Sequence, residues 1–235
     1  MRLTPALAND LSQAIAGLEI RDAIPLLAKR FHGAITFATS LGAEDQVLTH
    51  IVSTLSQPIE IFTLDTGRLH PETYTLLDRT VQKYGVPITV YFPDYRELET
   101  WITTHGINGF YDSIENRKAC CRLRKLEPLN RALAGKSLWI TGLRAAQSVT
   151  RQSMELIEWD EAHQILKYNP LLHWSEEEIW HYAKQHNVPV NPLHTQGFAS
   201  IGCAPCTRAV KNGENIRAGR WWWESPEHKE CGLHK

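Results

Sequence analysis

Five cysteines carry most of the reactive chemistry in this chain of 235 residues. Cys203 and Cys206 form a Cys-x-x-Cys pair, Cys120 and Cys121 are adjacent, and Cys231 stands alone near the end of the sequence. In a reducing compartment, cysteines at motif spacing are more often metal ligands or redox catalysts than structural disulfides. The five cysteines therefore divide into four that would hold a metal centre and one that remains for other chemistry.

The adjacent pair restricts the kind of metal centre. On a regular helix, neighbouring side chains diverge by about 100°, so Cys120 and Cys121 reach one centre only where the helix is distorted or the centre is large. A 4Fe-4S cube presents iron atoms at separate corners, and it suits these two cysteines with Cys203 and Cys206 better than a single tetrahedral ion does. A structural zinc site and four unrelated buried thiols remain as alternatives.

The fifth cysteine lies in the segment Lys229-Glu-Cys-Gly-Leu-His234. A lysine, a histidine and upstream arginines lower the pKa of such a thiol and raise its thiolate fraction. The alternative is an incidental surface thiol. Just upstream, the run Trp221-Trp-Trp223 predicts an apolar anchor that pins the base of this tail to the body of the protein.

Cationic side chains accompany these motifs. Arginine presents a planar fork of donors that suits phosphate or sulfate, whereas any single arginine can also be an ordinary solvated residue. The candidates for binding an anion are Arg68, Arg144, Arg151, Arg217 and Arg220. Arg122, Arg124 and Lys125 follow the adjacent cysteines, where they would stabilise a negatively charged cluster.

A regular alternation of strand, loop and helix must position these residues. Buried-strand patterns at Ala34–Thr39, Ile59–Leu64, Ile88–Phe92 and Leu138–Thr141 alternate with amphipathic helices, which predicts an α/β fold with a mostly parallel sheet flanked by helices. Two helices are expected within residues 5–31, one over 113–133 and one over 175–186, with a hairpin formed by 154–159 and 164–168.

Two loops follow the first two strands and are expected at the same edge of the sheet, where α/β proteins bind ligands. The first, Ser40 to Asp45, opens a helix whose amides would bind phosphate, with Ser40 and Gly42 allowing close approach. A capped turn without a ligand explains it equally well, because it matches neither a Walker A loop nor a Ser-Gly-Gly-x-Asp-Ser loop. In the second, Asp65 to Arg68, the aspartate would be structural and the arginine would meet an anion.

Composition excludes several classes of function. The formal net charge is −1, so no basic excess indicates nucleic acid as a partner. No apolar run approaches the roughly 20 residues that span a bilayer, and the first residues lack the apolar core of a signal peptide. We therefore expect a cytoplasmic protein without a membrane partner.

Taken together, the motifs resemble those of the assimilatory sulfonucleotide reductases, and most closely the iron–sulfur branch, the adenosine 5′-phosphosulfate reductases. The resemblance covers about Phe37 to His234, and the ending Lys229-Glu-Cys-Gly-Leu-His234 is highly specific to the family. Its other parts are Ser40-Leu-Gly-Ala-Glu-Asp45, Leu64-Asp-Thr-Gly-Arg-Leu-His-Pro-Glu-Thr73, Cys120-Cys121 with Lys125, Gly142-Leu-Arg144 with Gln147 and Arg151, Cys203-Ala-Pro-Cys206 and Arg217-Ala-Gly-Arg-Trp-Trp-Trp223.

The resemblance implies a fold and a mechanism. The fold would be Rossmann-like, of the adenine nucleotide alpha hydrolase type, with N-terminal helices at 1–32, a nucleotide-binding region at 33–200 and a C-terminal segment at 201–235 that ends in a mobile tail. The Cys231 thiolate would attack the sulfate sulfur of adenosine 5′-phosphosulfate, AMP would leave, and thioredoxin or glutaredoxin would release sulfite. One 4Fe-4S cluster per chain would be held by Cys120, Cys121, Cys203 and Cys206.

The same resemblance assigns the substrate-binding residues. They would be Ser40, Gly42, Leu64, Asp65, Gly67, Arg68, Lys125, Arg144, Arg151, Arg217, Arg220 and His234. Two other functions remain open: a reductase of 3′-phosphoadenosine 5′-phosphosulfate or of both nucleotides, and a metal-stabilised nucleotide-binding protein without reductase activity. The sequence leaves the oligomeric state undecided, a homo-oligomer included.

Overall fold

A computed structural model of the chain describes residues 2–147, 153–211, 213–225 and 232–233. Three residues with predicted roles lie outside these ranges: the nucleophile Cys231 and the substrate-binding Arg151 and His234. Their assignments stay predictions from the sequence.

The sheet confirms the predicted α/β class. In the described part of the chain it has six strands in the order β3-β2-β1-β4-β6-β5. The strands β1 and β2, β1 and β4, and β4 and β6 are parallel neighbours, whereas β5 and β6 are antiparallel, as the predicted hairpin requires. The strands are β1 Ile35–Ala38, β2 Glu60–Leu64, β3 Ile88–Tyr91, β4 Leu138–Ile140, β5 Ile157–Asp160 and β6 Ile165–Tyr168.

The helices begin where side chains satisfy the unpaired amides of the first turn. Thr4, Asp94 and Ser113 each accept hydrogen bonds from a first-turn amide, and Ser175 forms a reciprocal capping box with Glu178, which is the pairing that the sequence predicts. The helices are α1 Pro5–Ile15, α2 Ile20–Phe31, α3 Ala43–Ser53, α4 Pro71–Tyr84, α5 Tyr95–His105, α6 Ile114–Cys121, α7 Glu127–Leu133 and α8 Glu176–Gln185.

The helix expected over 113–133 is not continuous. α6 ends at Cys121, and a π-helical turn, Arg122–Leu126, separates it from α7. The amide of Glu127 donates to the carbonyl of Arg122, five residues earlier. A π turn inserts an extra residue into the helix and is frequent at functional sites. The distortion that adjacent cysteine ligands demand is therefore present directly after Cys121.

The described residues group into two compact units. Unit 1 comprises 1–63, 76–89 and 133–190, and unit 2 comprises 64–75, 90–132 and 191–235. The core of unit 1 packs α1, α2, α3 and α8 with the strands, and Phe37, Leu48 and Leu138 are fully buried in it. A smaller apolar cluster in unit 2 contains Trp101 and Phe110 packed with Cys120. Within the described residues, no helix has both the length and the apolar character needed to cross a bilayer.

Candidate functional site

All four of the cysteines predicted to bind a cluster line one small cavity in unit 2. None of these four forms a disulfide with another described cysteine, and Cys120, Cys121 and Cys203 are buried. The other described residues of the wall are cationic, aromatic or apolar; they are Arg68, Phe110, Arg117, Arg124, Lys125, Pro205 and Trp221. The structure therefore brings together two cysteine pairs that lie more than 80 residues apart in the sequence.

Local backbone bonds position the Cys-x-x-Cys pair. Cys203 begins a short 3₁₀ turn, Ala204–Cys206, in which the Cys206 amide donates to the Cys203 carbonyl at 2.9 Å. The Ala204 amide donates to the carbonyl of Arg68 at 2.8 Å. This bond joins the 3₁₀ turn to the loop that follows β2, so the second predicted ligand loop lies directly beside the thiols.

Of Cys120, Cys203 and Cys206, Cys203 is the thiol that its surroundings favour most strongly as a thiolate. Burial raises its pKa, but Lys125, a hydrogen bond with Thr66, and the charges of Arg220 and Arg124 outweigh burial, so that the pKa is lowered. The Thr66 Oγ1 and Cys203 Sγ atoms lie 3.3 Å apart. A lowered thiol pKa favours the deprotonated form that binds a metal.

The nearby positive charges do not bring the pKa of Cys120 or Cys206 below the ordinary value of a thiol. Burial raises the pKa of Cys120 despite the nearby Arg124. Burial and the neighbouring Cys203 raise the pKa of Cys206 to about 12. Several thiols that share one buried site oppose one another's ionisation, as like charges do. A cation placed among them would remove that opposition.

Three cationic side chains of unit 2 pack around the ring of Trp221. Its ring is 1% exposed, and the charged groups of Arg117, Arg220 and Lys125 lie 4.9, 4.7 and 6.0 Å from its centroid. Its amide donates to the Cys206 carbonyl at 3.1 Å, which holds the tryptophan beside the Cys-x-x-Cys turn. Cation–π contacts of this kind strengthen when they are removed from water.

The donor set and its surroundings fit an iron–sulfur cluster. A 4Fe-4S cube is held by four thiolates, and the complex carries net negative charge, which Arg117, Arg124 and Lys125 would balance. Four thiols in one cavity match the ligand count, and both members of the adjacent pair line it although they lie on α6, directly before the π turn. Among the described residues, no group of three or more His, Cys, Asp or Glu side chains is arranged to hold a metal ion.

The loop from Asp65 to Arg68 also belongs to unit 2. Asp65 accepts hydrogen bonds from the Gly67 amide at 2.7 Å and from the Tyr74 hydroxyl at 2.9 Å, so it shapes the turn. Gly67 has a φ of 69°, a conformation that glycine adopts without strain. Arg68 donates to the Asn108 side chain at 2.9 Å, and its guanidinium lies 5.0 Å from the centre of the Phe110 ring.

The loop after β1 belongs to unit 1 and is organised by one carboxylate. The amide and the hydroxyl of Ser40 both donate to Asp45 Oδ2, each at 2.6 Å. Gly42 is the N-cap residue of α3. A Cβ atom at Gly142, in the loop after β4, would overlap Asp45, so the loops that follow these adjacent parallel strands pack against each other.

Arg144 joins the same pair of loops. Its Nε donates to Glu44 Oε1 at 2.9 Å, and Gln147 donates to the same oxygen at 2.9 Å. Arg144 is 5% exposed, so its guanidinium is held in one orientation at the edge of the sheet. Unit 1 thus brings Ser40, Gly42 and Arg144 into one cluster of loops.

Unit 2 holds the remaining candidates that the structure describes. Leu64 is the last residue of β2. Lys125 is buried in the wall of the thiol cavity. Arg220 donates to Ser200 at 3.3 Å, and Arg217, which is partly exposed, lies in the turn that precedes it.

Sequence reasoning assigned one cation wrongly and missed three residues. Arg122 was expected beside the cluster, but its side chain is 60% exposed and pairs with Glu97. Thr66, Arg117 and Trp221 contact the thiols or line their cavity. The sequence drew attention to the tryptophan run only as packing. Thr66 lies 137 positions from Cys203, and Arg117, four residues before Cys121, belongs to no recognisable motif.

Comparison with known proteins finds a matching domain family and similar chains. The profile of the phosphoadenosine phosphosulfate reductase domain matches residues 34–209. Proteins named adenosine 5′-phosphosulfate reductase from Allochromatium vinosum and Burkholderia cepacia are 57% and 50% identical to this chain. The alignments cover 91% and 99% of this chain, and 84% and 90% of those proteins, respectively.

Solved structures show the same architecture. A phosphoadenylyl-sulfate (PAPS) reductase from Candida auris, crystallised with phosphate, is 25% identical and superposes with a TM-score of 0.76 over 89% of this chain and 99% of that one. An FMN adenylyltransferase from Candida glabrata, 16% identical, superposes with a TM-score of 0.56 over 98% of this chain and 79% of that one, and this likeness concerns the fold alone.

Proposed function

We propose a function from the premise that this chain belongs to the phosphoadenosine phosphosulfate reductase family and is an oxidoreductase. The proposed reaction is the thioredoxin-dependent reduction of adenosine 5′-phosphosulfate to sulfite and AMP, in assimilatory sulfate reduction. The observation that carries the proposal is the set of four thiols in one cationic cavity. The sequence adds a fifth cysteine, Cys231, which the resemblance assigns to catalysis. Close relatives named for this substrate support the choice of nucleotide.

The first chemical step would be nucleophilic attack by Cys231. Its thiolate sulfur forms a bond to the sulfur of the sulfonucleotide while the bond from that sulfur to the bridging phosphate oxygen breaks. The electron pair of the broken bond leaves with AMP, and an S-sulfocysteine remains on Cys231. Lys125, Arg144, Arg217 and Arg220, with Arg151 and His234 as further candidates, would neutralise the phosphosulfate while charge moves onto the leaving group.

The second step needs an external dithiol, for which thioredoxin or glutaredoxin is the candidate. A thiolate of the partner attacks the Cys231 sulfur, and sulfite leaves with the electron pair of the sulfur–sulfur bond. The partner's second thiol then resolves the mixed disulfide and restores the Cys231 thiolate. The partner is oxidised by two electrons, and the sulfate sulfur is reduced by two.

The four cavity thiols would hold one 4Fe-4S cluster, with Cys120, Cys121, Cys203 and Cys206 as ligands. When bound, this group would supply a fixed negative charge that orients cations and tunes the electrostatics of the site. Arg124 already donates to the Thr66 carbonyl at 2.6 Å, so the loop after β2 and the π turn are tied together at the thiols. We place the reaction in the cytoplasm, because free thiols persist in a reducing compartment.

A second candidate substrate is 3′-phosphoadenosine 5′-phosphosulfate. The Candida auris protein, which is 25% identical to this chain, is named for that substrate. The relatives that are at least 50% identical are named for the nucleotide without the 3′-phosphate, so they favour adenosine 5′-phosphosulfate. The test is a sulfite assay with thioredoxin on both nucleotides in parallel. The proposal expects sulfite and AMP in equal amounts from adenosine 5′-phosphosulfate, and no sulfite from the Cys231→Ser variant. Equal rates of sulfite formation from both nucleotides would show instead that the protein is a dual reductase.

A further inference from the structure

A buried ion pair connects the cysteine helix to the C-terminal segment. Arg117, on α6, donates to Glu224 through Nε at 2.9 Å and through Nη2 at 2.7 Å. The side chains are only 1% and 3% exposed, and the two residues lie 107 positions apart in the sequence. Bidentate bonds of this kind fix both distance and orientation.

The same guanidinium reaches a predicted cluster ligand. Arg117 hydrogen-bonds the Cys121 sulfur, and its charged group lies 4.9 Å from the centre of the Trp221 ring. Arg117 precedes Cys121 by four residues, so both project from the same face of α6. One side chain therefore contacts a cavity thiol, the buried tryptophan and Glu224 at once.

Glu224 stands close to the proposed nucleophile along the chain. It precedes Cys231 by seven residues, a length that spans at most about 25 Å when fully extended. Where Glu224 is held therefore limits where the Cys231 thiolate can reach. A buried ion pair is costly to desolvate and is weak evidence for stability, so its geometric role is the stronger explanation for its presence.

From these contacts we infer that Arg117 and Glu224 are positioning residues: together they fix the base of the catalytic tail to the helix that carries Cys120 and Cys121. The inference rests on the proposed function, in which Cys231 is the nucleophile. Neither residue touches the substrate in this account. The pair makes the placement of the Cys231 thiolate depend on the same helix that supplies half of the cluster ligands.

The test is single-turnover transfer of the sulfo group to Cys231 in the intact protein with its cluster, followed by mass spectrometry. Glu224→Gln keeps the size of the side chain and removes its charge. We expect unchanged iron content and nucleotide affinity, with a transfer rate about tenfold lower or more, because small misplacements of a nucleophile cost large factors in rate. Arg117→Lys keeps the charge beside Cys121, and its transfer rate should lie between those of wild type and Glu224→Gln. This variant replaces Glu224→Gln in the test if Glu224→Gln fails to fold.

A matched control lies in the same segment. Arg208 makes a bidentate pair with Glu214 at 2.9 and 3.0 Å, but the two side chains are 33% and 30% exposed. Glu214→Gln makes the same chemical change in an exposed pair and should leave the transfer rate within about twofold of wild type, as expected for surface pairs.

Two results with Glu224→Gln would overturn the inference. An unchanged transfer rate with the cluster intact would show that the pair does not position the tail. Loss of iron in proportion to the loss of rate would show that the pair serves only to hold the cluster. If the wild-type protein formed no adduct, the proposed function would fail; alkylation of Cys231 by iodoacetamide would then replace transfer as the readout, and equal rates in Glu224→Gln and Glu214→Gln would overturn the inference.

Discussion

The Oγ1 atom of Thr66 lies 3.3 Å from the sulfur of Cys203, and this contact joins the loop after β2 to the Cys-x-x-Cys turn. The two residues lie 137 positions apart in the sequence. Thr66 is 2% exposed, so no water competes for its hydroxyl. A buried hydroxyl that meets a thiolate stabilises the ionised form, which is the form that binds iron.

This contact gives the first prediction. Thr66→Val keeps the shape of the side chain and removes the hydroxyl, which contacts Cys203 and also accepts from the Arg68 amide at 3.3 Å. Each lost hydrogen bond costs about 0.5–1.5 kcal/mol. We expect the iron–sulfur absorption to bleach faster in air than in the wild-type protein. Thr73→Val is the matched control, because Thr73 is also buried in unit 2 but accepts its hydrogen bond from Asn191 at 3.1 Å. Equal bleaching rates in the two variants would remove Thr66 from the support of the cluster.

The ligand set gives the second prediction. Cys203→Ser should abolish the iron–sulfur absorption and reduce bound iron to background, because it removes one of the four thiols that line the cavity and a 4Fe-4S cluster is held by four thiolates. Cys231→Ser should retain full iron, since that residue is assigned to catalysis. Iron analysis of both variants, purified without oxygen, decides the matter. A Cys203→Ser protein with unchanged colour and iron would contradict the ligand assignment.

The third prediction concerns Arg220. A Cβ atom at Gly202 would overlap the Arg220 guanidinium, so Gly202→Ala displaces that group without changing its charge. We expect Gly202→Ala and Arg220→Met to weaken binding of adenosine 5′-phosphosulfate by a similar factor, roughly tenfold or more, as for a lost hydrogen bond to a charged group.

Equilibrium binding by calorimetry measures the effect on Arg220. Arg208→Met is the control, because Arg208 belongs to the same segment but pairs with Glu214 near the surface. Its affinity should stay within about twofold of wild type. Full affinity in both Gly202→Ala and Arg220→Met would exclude Arg220 from the nucleotide site.

The fourth prediction is a pH dependence of stability in unit 1. Burial, assisted by the nearby positive groups of His186, Arg21 and Lys83, lowers the pKa of His50 from its ordinary 6.5. The unfolded chain therefore binds more protons than the folded chain as pH falls below about 6.5. Stability is present above that pH and decreases below it, down to the pKa of His50 in the folded protein.

His50→Gln should flatten this decrease. The rings that pack around His50 belong to Tyr84, Tyr182 and His186, so the variant also loses some packing at every pH. Denaturant unfolding between pH 5 and pH 7.5 separates the two effects. Lost packing lowers the free energy of unfolding by the same amount at every pH, whereas lost titration changes the slope of that free energy against pH. His181→Gln, an exposed position on α8, is the control. If the free energy of unfolding of His50→Gln falls with pH as steeply as that of wild type, His50 is not the group responsible for the pH dependence.

Local patterns were enough to predict the sheet and most helices. Strand periodicity, turn residues and the capping box at Ser175 each depend on residues that are neighbours in the sequence, and each was confirmed. The pairing of Cys120 and Cys121 with Cys203 and Cys206 was also predictable, because motif spacing of cysteines in a reducing compartment favours a shared centre.

Contacts between distant segments were not predictable in the same way. The need for a distorted helix followed from the adjacent cysteines, but the position of the π turn did not. Arg122 and Arg124 were both expected beside the thiols, and of these two Arg124 lines the cavity whereas Arg122 is exposed. No sequence pattern around Arg117 or Glu224 indicates that the two residues form a pair. A buried ion pair is visible only when the fold brings its two charges together.

The measurement that tests the central claim most directly is the intact mass of the protein, purified without oxygen, after incubation with adenosine 5′-phosphosulfate in the absence of thioredoxin. The account predicts one added sulfo group, mapped to Cys231, released as sulfite when thioredoxin is added and absent in Cys231→Ser. An adduct that persists in Cys231→Ser would contradict the assignment of the nucleophile. No adduct in wild-type protein whose cluster is intact would contradict the proposed reaction and favour a nucleotide-binding protein.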